Sequence, residues 1–283
     1  MEINARKTIL TLFNKIWNSF LPSQWKKSII IPIIKKNKSQ TDISNYRPIS
    51  STSIVCKAME RMINNRINWY LETHNLIHPA QAGFRQYRST EQQVAILSHH
   101  IQNSLDKGHM LTTIYVDFKG AYDSVWKSKL FQKLTHIGIT GKMLNWIKGF
   151  TTQRYCRVKY GDATSKYKQL CMGLPQGAVT SCSLFNVYIN DLIDKITMHD
   201  GVNALMYADD LVLWTTVPKR DAKANIENTL KEALHTLDLW CTENAMTINI
   251  NKTTYQTFLL CHQSINLDLK PNNNDMKQVS KFT

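Results

Sequence analysis

The chain has 283 residues, 43% of them hydrophobic, with Lys+Arg 35 against Asp+Glu 21 and a formal net charge of +14. That length is enough to bury a core in one or two domains, and the hydrophobic share excludes wholesale disorder. The excess of cations favours polyanionic partners, because Lys and Arg that neutralise phosphates release condensed counterions.

In chain order, Ile9, Leu12, Phe13, Ile16, Trp17 and Phe20 fall on one helical stripe that Pro22 stops. Ser28 to Ile34 is a β-branched run and reads as a buried strand, followed by the basic cluster Lys35, Lys36 and Lys38. A second stripe (Ile54, Val55, Ala58, Met59, Met62, Ile63, Ile67) and a third from Glu91 to Leu105 predict two more helices. Leu111 to Val116 reads as a strand ending at Asp117, and Tyr155–Tyr160 and Tyr167–Cys171 as strands around Gly161-Asp162. Helical spacing returns from Ser181 to Ile196. Ala204–Tyr207 and Leu211–Trp214 then form a hairpin with Ala208-Asp209-Asp210 at its tip. A last helix carries Ile226, Leu230, Ala233, Leu237 and Trp240 and leads to Met246–Ile250; the tail Pro271–Asp275 is polar and reads as loop. Strands alternating irregularly with helices predict an α+β fold.

The six cysteines (56, 156, 171, 182, 241 and 261) include no CxxC pair, and the histidines form no HExxH pattern, which argues against a zinc site. Reduced thiols, no secretory signal in the first twenty residues, and a longest apolar stretch (Ile29–Ile34) broken by Pro32 predict a soluble intracellular protein.

Asp209 and Asp210 lie between apolar strands, where a bare carboxylate is costly to bury. If neighbouring strands bring the end of Leu111–Asp117 to the hairpin tip, three carboxylates converge. Clustering raises their pKa values unless cations neutralise them, and hard oxygen donors suit Mg²⁺. Two such ions about 3.5–4 Å apart can serve an in-line phosphoryl transfer. A solvated acidic turn is the competing reading of the Asp-Asp pair.

Tyr207-Ala208-Asp209-Asp210 within this hairpin resembles the signature of reverse transcriptases, and its companions resemble the non-LTR retrotransposon branch, most closely the jockey-like group. Asp117-Phe118-Lys119-Gly120-Ala121-Tyr122-Asp123 resembles the first acidic motif of that family. Gly173-Leu174-Pro175-Gln176-Gly177, with Leu184-Phe185-Asn186 and Tyr188-Ile189-Asn190-Asp191, resembles its template- and nucleotide-positioning motif. Asn45-Tyr46-Arg47-Pro48-Ile49-Ser50 with Lys57 and Glu60 resembles the finger motif. Gln81-Ala82-Gly83-Phe84-Arg85 with Ser89-Thr90 resembles the insertion of this branch, and Asn251-Lys252-Thr253 the fourth palm motif.

The resemblance implies an RNA-directed DNA polymerase, a nucleotidyltransferase that adds dNTPs to a DNA primer on an RNA template with two Mg²⁺ ions, Mn²⁺ serving as a substitute. It implies that Asp117, Asp209 and Asp210 ligate the metals with the Phe118 carbonyl, and that Tyr122 lies under the incoming sugar. Gln176 would contact nucleotide or template, and Arg47 with Lys35 or Lys36 would clamp the triphosphate, a fork beside a point charge. Lys252 would donate a proton to pyrophosphate, and Arg85, Arg88, Gly177 and Tyr207 would support template or primer.

The implied fold is the right-hand polymerase: an antiparallel palm sheet backed by helices, with a finger subdomain. The expected division is a helical extension over 1–21, a reverse transcriptase domain over 22–263 (fingers about 22–110 and 124–170, palm about 111–123 and 171–263) and a polar tail over 264–283. Relatives are expected to continue beyond Lys281-Phe282-Thr283 into a primer grip and thumb, so the chain reads as a fragment with thumb and endonuclease absent. Thr180-Ser181-Cys182 stands where the family has Leu-Ser-Pro, predicting a weakened helix start. The resemblance points to the nucleus, with cytoplasm left open, and to no membrane partner; protein partners are not indicated. The competing function is a catalytically silent, nucleic-acid-binding remnant.

Overall fold

The computed structural model describes residues 3–220, 222–260, 266–271, 274 and 276–279. In chain order these form α1 (Ile3–Trp17), β1 (Lys27–Ile34), β2 (Tyr46–Ser51), α2 (Ile54–Thr73), α3 (Thr90–Asp106), β3 (His109–Val116), α4 (Ala121–Ser124), α5 (Lys127–His136) and α6 (Gly141–Thr151). There follow β4 (Arg154–Tyr160), β5 (Ala163–Thr164), β6 (Lys168–Leu170), α7 (Ser181–Ile189), α8 (Asp191–Thr197), β7 (Val202–Tyr207), β8 (Asp210–Pro218), α9 (Ala222–Glu243), β9 (Thr254–Phe258) and β10 (Lys277–Gln278). Cys261 and part of the polar tail lie outside the described residues.

The chain divides into two compact units, one of Met1–His74 with Val125–Val187, the other of Asn75–Ser124 with Tyr188–Thr283. Within this division, 75–110 goes with β3, and 171–187 with β1 and β4.

The first unit holds the sheet β2-β1-β4-β5, with β6 also on β4; β1 runs antiparallel to β2 and parallel to β4. Helix α2 begins at Ser53, whose hydroxyl accepts the Cys56 N–H at 3.4 Å, an N-cap that ties off one orphan donor. Its buried stripe is Cys56, Met59, Glu60, Ile63, Ile67 and Leu71. Glu60 is a charged residue on that stripe and is fully buried; one of its oxygens accepts the Val179 N–H at 2.8 Å. Arg154, 1% exposed, donates to the Phe150 carbonyl at 3.0 Å and lies over the Phe150 ring. Burial lowers the pKa of its guanidinium, against which the Cys56 and Glu60 charges act.

Sequence reading differs from this unit in three places. β1 is not a buried strand: pairing with β2 and β4 satisfies its edges, while Ile31 and Ile33, on one face of the sheet, are left about half exposed. Helix α1 ends at Trp17, buries only Phe13 and Ile16 from the stripe, and leaves Phe20 at 91% exposure. The two amphipathic helices α5 and α6 had no counterpart in the sequence reading. The helix start at Ser181 is held by its hydroxyl, which donates to the Pro175 carbonyl at 2.9 Å.

The second unit holds the sheet β10-β9-β3-β8-β7, antiparallel throughout except for β10 on β9. α3 covers one face, packing Ile96, Leu97 and Ile101 against Leu111, Leu205 and Trp214. The alternate residues Ile114, Leu211 and Leu213 are also buried, and α8 and α9 pack on β7 and β8. In α9, Ile226, Leu230, Ala233, Leu237 and Trp240 are fully buried, as their 3.6-residue spacing predicts. Each large apolar side chain removed from water contributes roughly 1.5–3 kcal/mol. The predicted helix from Ser181 to Ile196 is interrupted at Asn190, whose own angles remain helical (φ −55°, ψ −42°). The Asn190 side chain accepts the His78 N–H and donates to the Leu76 carbonyl.

Candidate active site

Strand pairing, not proximity in the chain, assembles the acids. β3 and β8 run antiparallel with Val116 opposite Leu211, so Asp117, one residue beyond β3, comes beside Asp210, the first residue of β8. Tyr207 pairs with Asp210 across a two-residue turn of Ala208 and Asp209. Asp117, Tyr207, Asp210 and Lys252 line one cavity of about 690 Å³, whose other walls are largely apolar.

Asp117 is held closely. Its N–H donates to the Thr253 hydroxyl at 3.3 Å, and its carbonyl accepts the Asn249 N–H at 2.7 Å. One carboxylate oxygen accepts the Asn249 side-chain amide at 3.0 Å, and the other faces the Lys252 ammonium at 3.4 Å. Phe118 bridges Ile248, but the two bonds of that bridge use Lys119 N–H and the Asp117 carbonyl, so the Phe118 carbonyl is not consumed by them.

Burial raises the Asp209 pKa above its ordinary 3.8, and the Asp117 charge adds to this while Lys252 opposes it. Asp210 is raised by burial, then by the charges of Asp209 and Asp117. Its side chain is nonetheless exposed, so solvent screens it more than Asp209. Because the Asp209 pKa in the folded state lies above its unfolded value, its contribution to stability is full below about pH 4 and is lost as pH rises through the raised value. In EDTA, melting temperature should therefore fall across that interval. Asp209→Asn should flatten that slope, leaving the part due to Asp210, and raise stability at pH 7. A slope unchanged by the substitution would place its origin elsewhere.

The donor set fits a divalent cation. Carboxylate oxygens are hard ligands, their mutual charge is what a cation relieves, and the Lys252 ammonium shows positive charge accepted at Asp117. Among the described residues, no three His, Cys, Asp or Glu side chains form a ready-made metal cage.

The remaining residues singled out from sequence fall in both units. In the second, Tyr122 is half-buried in α4 and Arg88 is exposed. Arg85 donates to the carbonyls of His78 and Gln81, both at 3.0 Å. In the first, Lys35 donates to the Ser44 carbonyl at 2.8 Å, while Lys36 is exposed. Arg47 is exposed on β2 opposite Ile33. The Gln176 carbonyl accepts the Ser50 N–H at 2.8 Å. Gly177 has φ +99°, a left-handed angle that excludes most side chains.

Sequence reading missed two residues. Asn249 bonds the Asp117 carboxylate, yet an asparagine in a loop carries no distinguishing signal. Gln81, fully buried, bonds both the N–H and the carbonyl of Ala208; in the sequence it stands out only as part of a motif.

A family model described as reverse transcriptase (RNA-dependent DNA polymerase) matches residues 33–279. A probable RNA-directed DNA polymerase from transposon BS of Drosophila melanogaster is 30% identical over 92% of this chain and 29% of its own length. The RNA-directed DNA polymerase from mobile element jockey of the same organism is 27% identical over 90% of this chain and 28% of its own. The chain thus spans less than a third of these relatives. Among solved structures, a telomerase from Candida Tropicalis in complex with a TWJ fragment of telomeric RNA superposes with a TM-score of 0.61 at 14% identity, covering 98% of this chain and 49% of the telomerase. Apo telomerase from the same species gives 0.59 over 90% and 55%. That likeness supports the right-hand polymerase fold, and the family generally uses divalent metal ions. With the family model covering most of its length and its acidic motifs on adjacent strands, the chain belongs to the reverse transcriptase family.

Proposed function

We propose that this chain is the catalytic part of an RNA-directed DNA polymerase of a non-LTR retrotransposon, extending a DNA primer on an RNA template with dNTPs. The observation that carries this reading is the β3–β8 register, which sets Asp117 beside the Asp209-Asp210 turn although about ninety residues of chain separate them. Asp117, Asp209 and Asp210, with the Phe118 carbonyl, would hold two Mg²⁺ ions, Mn²⁺ being able to substitute. When bound, the ions supply charge stabilisation for the attacking and leaving oxygens of an in-line displacement.

The chain's own groups do the rest. Asn249 and Thr253 fix Asp117, so its carboxylate meets the ligand already oriented. The motif resemblance assigns Lys252 to protonating a pyrophosphate oxygen, and its ion pair with Asp117 at 3.4 Å supports that reading. Tyr207 is assigned to the primer terminus. The motif resemblance assigns Arg47, Gln176 and one of Lys35 and Lys36 to the incoming nucleotide. The Ser44 bond occupies Lys35 and favours Lys36. Gly177, Arg85 and Arg88 are assigned to template or primer on the same ground. The expected division into an extension over 1–21, a catalytic domain over 22–263 and a tail is retained as part of this proposal, as is a nuclear location.

The test is to measure Mg²⁺-dependent dNTP incorporation and RNA affinity on one preparation. Incorporation supports the polymerase; salt-sensitive RNA binding without incorporation would establish the silent remnant instead.

Tyr122 is proposed to exclude the 2′-hydroxyl, the group that separates ribo- from deoxyribonucleotides. Tyr122→Ala should raise relative use of rNTPs by about 10- to 100-fold in competition assays, since a lost steric block of this kind is worth roughly 1–3 kcal/mol. An unchanged ratio would remove Tyr122 from the sugar site.

A further inference from the structure

The turn that carries Asp209 is held in an unfavourable shape. Ala208 has φ +58°, a left-handed angle that a Cβ disfavours and that glycine ordinarily takes in two-residue hairpins. Nothing in the local sequence of Tyr207-Ala208-Asp209-Asp210 enforces it, so the restraint comes from outside the hairpin.

That restraint is the segment 80–85. Ala82 N–H donates to the Met206 carbonyl at 2.9 Å and Met206 N–H to the Ala80 carbonyl at 3.0 Å, so the segment runs beside β7 as a short parallel bridge. The Gln81 side chain then reaches the turn. Its amide oxygen accepts the N–H groups of Ala208 at 2.9 Å and Gly83 at 2.8 Å, and its amide nitrogen donates to the Ala208 carbonyl at 3.0 Å. Both peptide groups flanking the Ala208 Cα are therefore fixed by one fully buried side chain. Gly83 allows the approach: a Cβ there would lie 2.1 Å from the Ala208 nitrogen. Arg85, bonded to the carbonyls of His78 and Gln81, secures the segment in turn.

We propose that Gln81 is a positioning residue that clamps the strained Ala208 turn so that Asp209 and Asp210 are presented as metal ligands. This rests on the reading of those acids as the polymerase site. A clamp that fixes both sides of one strained residue is expected to govern metal affinity and turnover, not nucleotide binding.

The test uses the full chain with Gln81→Met, which keeps the buried volume and removes all three bonds, and Gln81→Met combined with Ala208→Gly, which removes the Cβ penalty. Three quantities are read: amide exchange at Ala208, Mn²⁺ affinity by electron paramagnetic resonance, and kcat and KM for dTTP on poly(rA)·oligo(dT). In Gln81→Met, Ala208 exchange should speed up by about tenfold and Mn²⁺ affinity and kcat should each fall by about tenfold, with KM within about twofold, the scale of buried hydrogen bonds left unmade. The added Ala208→Gly should recover most of the Mn²⁺ affinity, which a merely structural loss would not allow.

Native exchange and native Mn²⁺ affinity in Gln81→Met would overturn the clamp. So would a double variant no better than the single one, even with exchange faster across the whole sheet. A wild-type chain that incorporates no dNTP while Gln81→Met still loses protection at Ala208 would refute the polymerase reading and leave the clamp standing.

Discussion

Asp209→Asn should lower dNTP incorporation by about 10³-fold or more while leaving RNA affinity unchanged, because removing one carboxylate from a two-metal site forfeits several kcal/mol of charge stabilisation. The substitution is nearly isosteric and leaves the turn's backbone bonds to Gln81 in place. Burial already makes the Asp209 charge costly, and Asp117 adds to that cost, so the neutral variant should fold at least as well. Activity and stability are thus expected to move in opposite directions, which separates a lost ligand from a damaged fold. Asp117→Asn should lose incorporation comparably and also release Lys252 from its ion pair. Measuring single-nucleotide extension at saturating Mg²⁺, alongside thermal melting, checks both. Extension within about tenfold of wild type in Asp209→Asn would place the metal elsewhere.

Glu60→Gln should destabilise the first unit by about 1–3 kcal/mol, because it weakens the charge-assisted hydrogen bond to the Val179 N–H and removes a buried charge that favours the ionised Arg154 guanidinium. The shape of the side chain is retained, and an amide oxygen can still accept the Val179 N–H, so packing alone does not explain such a loss. Removing both charges relieves the fault: Glu60→Gln with Arg154→Met should recover part of the stability, since the guanidinium is buried with its Nε and one Nη unbonded, a cost that an apolar side chain lacks. Urea unfolding of the single and double variants measures this coupling. Additive losses would mean that Glu60 and Arg154 do not compensate one another. The consequence reaches the Gly173–Gly177 loop, because the carboxylate of Glu60 anchors Val179, two residues beyond Gly177.

The chain's amino acids, taken without coordinates, determined most regular elements of the second unit. The strand run Leu111–Val116, the hairpin around Asp209-Asp210 and the five-residue stripe of α9 are each legible locally, and the structure has them where the sequence says. The motifs likewise named the acids. Local pattern failed where burial depends on neighbours that the pattern does not contain. Ile31 and Ile33 read as buried but are half exposed, on a face of β1 that strand pairing does not cover. α5 and α6 went unread in a stretch where lysines interleave the apolar positions.

The candidate site divides in the same way. Asp117, Asp209, Asp210 and Lys252 were legible because their residue types carry the chemistry. Asn249 and Gln81 were not, since a neutral amide gains its meaning only from what it touches. Asn249 reaches an acid more than a hundred residues before it, and Gln81 a strained alanine more than a hundred after it. Local periodicity is written along the chain, whereas strand register and the left-handed turn at Ala208 arise from hydrogen bonds between distant segments. Only the tertiary structure decides those.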